Sequence, residues 1–173
     1  GNIPIRKQGD GTLPVPGDSS EYGWVGYIPY EELPTVINPE SGYIATANHE
    51  VVGDEYPYHI TDYWAQEYRY ERIADLLEAK EKLSVQDMKD IQMDTVNYYA
   101  KTFFPQFLQT VEQDGSTEHK ELLSTLKEWD FNEAADSHEA FIFNFMIEDL
   151  IVQLFKGAMP EDVYEMMPAK YNI

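Results

Sequence analysis

A chain of 173 residues has the usual length of about one domain. With 43% hydrophobic and 14% aromatic residues it can build a core, which excludes wholesale disorder. Its 12 Lys and Arg against 32 Asp and Glu leave a net charge of −20, a surface that repels phosphate backbones and anionic headgroups; no nucleic-acid or membrane partner is expected. The absence of cysteine removes disulfides, thiolate metal sites and a cysteine nucleophile together.

Eight of the 10 glycines and seven of the 10 prolines fall in residues 1–57. Long helices are excluded there, because Pro removes an amide donor and Gly weakens helix interiors. The start, Gly1-Asn2-Ile3-Pro4, lacks the basic and apolar regions of a signal peptide, so any export signal is expected outside these residues. Short extended pieces are predicted at Trp24–Ile28, Thr35–Ile37 and Tyr43–Ala47, which are rich in β-branched or aromatic residues and separated by Gly, Pro and Asn turns. Three such pieces make a poor core alone, so residues 1–57 read as an extended arm lying against another surface.

Residues 58–173 read as a helical region. From Thr61 on, Ala65, Arg69, Ile73, Leu76 and Leu77 share one helical face. Ser84 with Asp87, and Leu83 with Met88, form a start signal for a second helix, whose apolar positions continue through Val96, Tyr99 and Ala100 to about Thr102. Pro105 is predicted to open a third helix, stopped by Asp114-Gly115, and Leu122, Leu123 and Leu126 mark a short one before Trp129. The last long helix is predicted to start after Ser137 and stop at Gly157. It carries apolar residues on nearly every face, which demands cover on all sides, part of it from polypeptide outside the chain. Asn144, Glu148, Asp149 and Gln153 interrupt that run, so it is no membrane span. Bared apolar surface of this kind predicts self-association of the segment. The fold class is mainly α, preceded by an irregular arm with a few short strands.

Candidate chemistry is sparse. His49 and His59, with Asp54 and Glu55 between them, match no zinc spacing and read as solvated loop residues. Asn48 stands where the Tyr43–Ala47 strand should end. Its amide can either donate two N–H groups to a developing negative oxygen or satisfy backbone groups of the turn. Arg69 shares a face with Ile73 and Leu76 and is expected to point inward, hydrogen-bonded or in a structural ion pair.

A family resemblance sharpens these readings. The blocks Ile3-Pro4-Ile5-Arg6, Gly9-Asp10-Gly11 and Pro14-Val15-Pro16-Gly17 resemble the penicillin acylase (penicillin amidase) family of N-terminal nucleophile hydrolases. So do Trp24–Pro29, Glu32-Leu33-Pro34, Asn38-Pro39, Gly42–Asn48, and Tyr68-Arg69 followed by Arg72-Ile73, in the family's order. Further on the likeness is confined to helical pattern, Leu126-x-x-Trp129-Asp130 and the aromatic helix. The resemblance implies part of a larger αββα fold and an amide hydrolase in which an N-terminal Ser attacks the carbonyl while its own α-amine serves as base. By the same token Asn48 is the oxyanion donor and Arg69 orients Asn48 and the amine. His49 stands where the family often has Asn. No nucleophile segment is found in the chain, which resembles an internal piece of the larger subunit and is expected to be inactive alone.

The resemblance further implies a small acyl-amide substrate (a β-lactam, an N-acyl-homoserine lactone or another amide), the remainder of the same precursor as partner, and a secreted or periplasmic location. It implies no cofactor for the chemistry and a structural calcium in some members, whose ligands cannot be assigned to Asp54 or Asp62. The competing expectation is an acidic binding module that keeps the scaffold without the chemistry.

Overall fold

The computed structural model describes residues 2–114 and 120–166. The protein is mostly helical with one small sheet near its start, and divides into two units, residues 1–85 and 86–173.

In the first unit, strand β1 (Pro4–Arg6) pairs antiparallel with β2 (Trp24–Tyr27), placing Pro4 opposite Tyr27 and Ile5 opposite Gly26. The register slips between Ile5 and Arg6. Bonds from Ile28 N to Ile3 O and from Lys7 N to Gly23 O, both 2.9 Å, extend the ladder at either end. Of the predicted strands, only Trp24–Ile28 forms, one residue shorter. Thr35–Ile37 and Tyr43–Ala47 find no partner strand among the described residues, and a strand exists only where a second chain segment takes its hydrogen bonds. Helix α1 (Tyr68–Glu78) begins later than the periodicity suggests, because residues 61–67 form turns and extended chain. Burial in this unit is slight: Ile28, Ala47 and His49 are its buried residues among those described, and α1 buries none.

In the second unit, α2 (Val85–Gln92) and α3 (Tyr98–Asp114) replace the single helix expected up to Thr102. The break has a local cause. Asn97 caps α3 by accepting the Ala100 amide at 2.8 Å, and its own N–H donates to Phe131 O at 2.8 Å. Val96 bridges to Asn132, so residues 95–97 are drawn into a bridge that a helix could not make. Pro105 lies inside α3 and does not open a new helix. Pro105 and Lys101 are both exposed, so water can satisfy the Lys101 carbonyl that loses its donor. α3 runs to Asp114, and Gly115, the other half of the expected stop, lies outside the described residues.

Helix α4 (Lys120–Lys127) and helix α5 (His138–Ala158) stand where the sequence places them, and α6 (Glu161–Met166) follows. Ser137 caps α5 by accepting the Ala140 amide at 3.1 Å. The core gathers on α5: Phe143 and Leu126 are almost fully enclosed, with Ala100, Phe104, Trp129, Ala140 and Ile147 around them. The Phe143 ring meets Trp129 at 5.3 Å and Phe104 edge-on at 6.1 Å, geometries favoured by the ring quadrupoles. Glu133 accepts from both Asn97 Nδ2 (2.7 Å) and Asn144 Nδ2 (2.9 Å), linking the start of α3 to α5. The expectation of α5 buried on all sides is not met within this chain: Phe141, Phe145 and Leu154 stay more than half exposed. No described helix is long and apolar enough to cross a membrane.

Candidate active site

The segment Tyr43–His49 is tied to α1 at three points. The Tyr43 hydroxyl donates to Glu78 Oε1 at 2.5 Å near the helix end. Arg69, in the first turn, donates from Nη2 to Ala47 O at 2.6 Å and to Asn48 Oδ1 at 3.1 Å. The His49 ring stacks on Tyr70 with centroids 3.9 Å apart. The lengths agree: five extended residues from Tyr43 to Asn48 reach roughly 16 Å, and nine helical ones from Arg69 to Glu78 roughly 14 Å. The segment therefore runs antiparallel to α1. At its two ends the stretch bonds to side chains of α1, donating from Tyr43 to Glu78 and accepting from Arg69 at Ala47 and Asn48.

Asn48 sits at the end of that run with φ 62°, in the left-handed region that Asn tolerates better than most residues. Its main-chain oxygen accepts from Ala65 N at 2.8 Å. Arg is a donor only, so the atom facing it must be the amide oxygen of Asn48. The Asn48 Nδ2 is left with both N–H groups directed elsewhere, on an exposed side chain that has no further hydrogen-bond partner among the described residues. Arg69 is also exposed as a whole, contrary to the inward orientation expected. Its helix face covers no core, and pairing rather than burial fixes its guanidinium. An open cavity of about 390 Å³ adjoins the Asn48 turn, lined by Glu50, Trp64, Gln66, Glu67, Tyr68 and Glu71.

The hydrogen bond to Glu78, reinforced by the charge of that carboxylate, pushes the Tyr43 phenol up to about 12. Tyr58 is raised likewise by its bond to Glu32 Oε2 at 2.6 Å, and Asp10 is lowered by the Thr12 amide and hydroxyl that donate to it.

The two residues singled out for chemistry, Asn48 and Arg69, are thus in direct contact. The two histidines are not alike. His59 pairs with Asp62 at 3.3 Å near the surface. His49 is buried, against the expectation of a solvated loop residue, because the Tyr70 ring covers it. Sequence reasoning gave His49 no structural part. The signal available was its place directly after Asn48 and the aromatic at Tyr70 beside Arg69. Among the described residues no three His, Asp or Glu side chains converge as metal ligands.

The chain is similar in sequence and fold to known proteins. The family model described as Penicillin amidase matches residues 1–172. The chain is 37% identical over 142 residues to a penicillin acylase 2 proenzyme of Pseudomonas sp. strain SE83, covering 82% of the chain and 18% of that protein. It is 34% identical over 138 residues to the penicillin G acylase of Escherichia coli, covering 75% and 16%. An acyl-homoserine lactone acylase of Pseudomonas aeruginosa is 27% identical over 175 residues, covering 94% and 21%. The fold superposes with a TM-score of 0.70 on a thermostable penicillin G acylase from Alcaligenes faecalis, at 23% identity, over 95% of this chain and 31% of that one. The chain spans about a fifth of the length of the curated relatives it matches. It belongs to the penicillin amidase family, whose members include amide hydrolases acting as penicillin and acyl-homoserine lactone acylases.

Proposed function

We propose that this chain is the oxyanion-side segment of an acylase that hydrolyses a small acyl amide, with Asn48 as oxyanion donor and Arg69 holding it in place. The observation that carries the reading is the bond from Arg69 Nη2 to Asn48 Oδ1, which occupies the amide oxygen and presents the Nδ2 N–H groups outward. In the reaction, a Ser hydroxyl supplied by another part of the protein attacks the amide carbonyl and passes its proton to its own α-amine. A free α-amine titrates near pH ~8 and is suited to that task. The tetrahedral oxyanion accepts from Asn48 Nδ2, the intermediate collapses with transfer of the proton to the leaving amine, and water then cleaves the acyl ester. Pre-aimed donors of this kind contribute roughly 3–4 kcal/mol to the barrier reduction. The guanidinium of Arg69, close to the reacting centre, disfavours a second positive charge and so helps keep the α-amine neutral.

The partner of the segment, on this reading, is the remainder of the same precursor, and the protein works outside the cytoplasm. The test is hydrolysis of chromogenic phenylacetyl and long-chain acyl amides by the whole protein and by this chain alone. The whole protein should turn over at least one of them and the chain neither. Clear turnover by the isolated chain, or none by the processed whole protein on any acyl amide, would contradict the reading.

A further inference from the structure

We propose that His49 is a positioning residue for Asn48, acting through its Nδ1 as acceptor for the Ala47 amide. The inference rests on the oxyanion-donor reading of Asn48 and adds a second support to it. Arg69 holds the Asn48 turn by the Ala47 carbonyl and the Asn48 side chain, and Ala65 holds it by the Asn48 carbonyl. These contacts leave the Ala47 N–H, on a buried residue, without a main-chain partner among the described residues. His49 Nδ1 accepts it at 3.4 Å. A buried N–H left unmet costs about 1–3 kcal/mol, so the turn has a reason to keep that acceptor even at this length.

The acceptor is itself fixed. The imidazole is buried and stacked on Tyr70 at 3.9 Å and 26°, and Tyr70 follows Arg69 directly in α1. One helical turn therefore anchors both grips on the segment, Arg69 through its guanidinium and Tyr70 through the ring it lays against His49. An accepting Nδ1 carries no proton, so the competent imidazole is neutral with its proton on Nε2. Asn48 at φ 62° is held from both sides by this pair. Loosening either grip lets the Nδ2 donor wander, and misplacement by about 1 Å can cost up to roughly 100-fold in rate.

The test uses the whole processed protein with His49→Phe, His49→Asn and Asn48→Gly compared for kcat, KM and thermal unfolding. Phe keeps a ring for Tyr70 but has no acceptor, whereas Asn places Oδ1 where His has Nδ1. The expected result is kcat lower by about tenfold in His49→Phe with KM within about twofold, and at least half of the activity restored in His49→Asn. Equal kcat in all three His49 forms, or equal loss in both substitutions, would overturn the inference. Should His49→Phe fail to fold, Tyr70→Leu removes the stack while keeping the acceptor. It should then lower kcat, and wild-type kcat in Tyr70→Leu would overturn the inference. Normal kcat in Asn48→Gly would overturn the donor reading and this inference together. Impaired Asn48→Gly beside unimpaired His49→Phe would overturn this inference alone.

Discussion

The guanidinium of Arg69 takes hold of Asn48 through the amide oxygen, at 3.1 Å, while the same nitrogen binds the Ala47 carbonyl at 2.6 Å. A donor-only side chain thereby decides which way an amide faces. The Nδ2 end of Asn48 points outward because no other orientation lets Arg69 donate.

Arg69→Leu should therefore disable the site without touching the donor itself. It removes two charge-assisted hydrogen bonds, each worth about 1.5–3 kcal/mol, and frees the Asn48 amide to rotate. Steady-state kinetics of the whole protein should show kcat lower by at least about tenfold, with thermal unfolding at a lower temperature. A fully active Arg69→Leu variant would show that Asn48 is positioned by something else.

Tyr43 gives the arm a pH dependence at the alkaline end. Its phenol is raised to about 12 by Glu78, so the folded chain holds that proton more tightly than the unfolded chain, whose phenol has the ordinary value near 10. The stabilisation is fully present below about pH 10 and is lost as pH rises through about 12. Absorbance titration at 295 nm should show a late-ionising phenol that vanishes in Tyr43→Phe and moves to lower pH in Glu78→Gln. A titration unchanged in both variants would remove the Tyr43–Glu78 tie.

Pro105 offers a stability test of the second unit. It stands in the interior of α3 on an exposed face, where it deletes one helical hydrogen bond. Pro105→Ala should raise stability by about 1–2 kcal/mol, the intrinsic gain of roughly 3 kcal/mol being offset in part by a more flexible unfolded chain. Denaturant unfolding that shows no gain would mean the helix depends on the bend at Pro105.

Phe141 and Phe145 lie one helical turn apart on α5, stacked at 6.3 Å, and are 72% and 65% exposed. Together they leave an apolar surface that soluble proteins seldom keep bare. The isolated chain should self-associate, and salt should favour this by screening its net charge of −20. Light scattering should record a larger mass at high salt than at low salt, reduced in Phe141→Ser/Phe145→Ser. A monomer at both salt concentrations would contradict the expectation.

How far these features were legible depends on whether their causes are local. The start of α5 was readable because Ser137, directly before it, caps the amide three residues on, and α4 because Leu122, Leu123 and Leu126 repeat at helical spacing. β1 was not, since Pro4–Arg6 has no alternation of its own and becomes a strand only by meeting Trp24–Tyr27. Tyr43–Ala47 shows the reverse: strand-like in composition, it meets no strand among the described residues, and its ends bond to Glu78 and Arg69 of α1. The Asn97 cap was hidden by apolar residues that keep helical spacing across the break, and Pro105 resembled a helix start because Pro favours the first turn. Asn48 and Arg69 could be named from sequence, as an amide at the end of an extended run and a cation on an apolar face. Their contact, and the burial of His49 under Tyr70, are products of tertiary approach that no residue spacing reports.

The central claim is that the Asn48 amide stabilises the oxyanion, and Asn48→Gly in the whole protein tests it most directly. Glycine accepts φ 62° without strain, so this variant removes the donor and leaves the turn, which alanine would not do as cleanly. Measured on an acyl amide that the wild-type protein hydrolyses, kcat should fall by about 100-fold or more while KM changes by less than about threefold, because the donor meets negative charge only in the transition state. A kcat equal to that of the wild type would contradict the account.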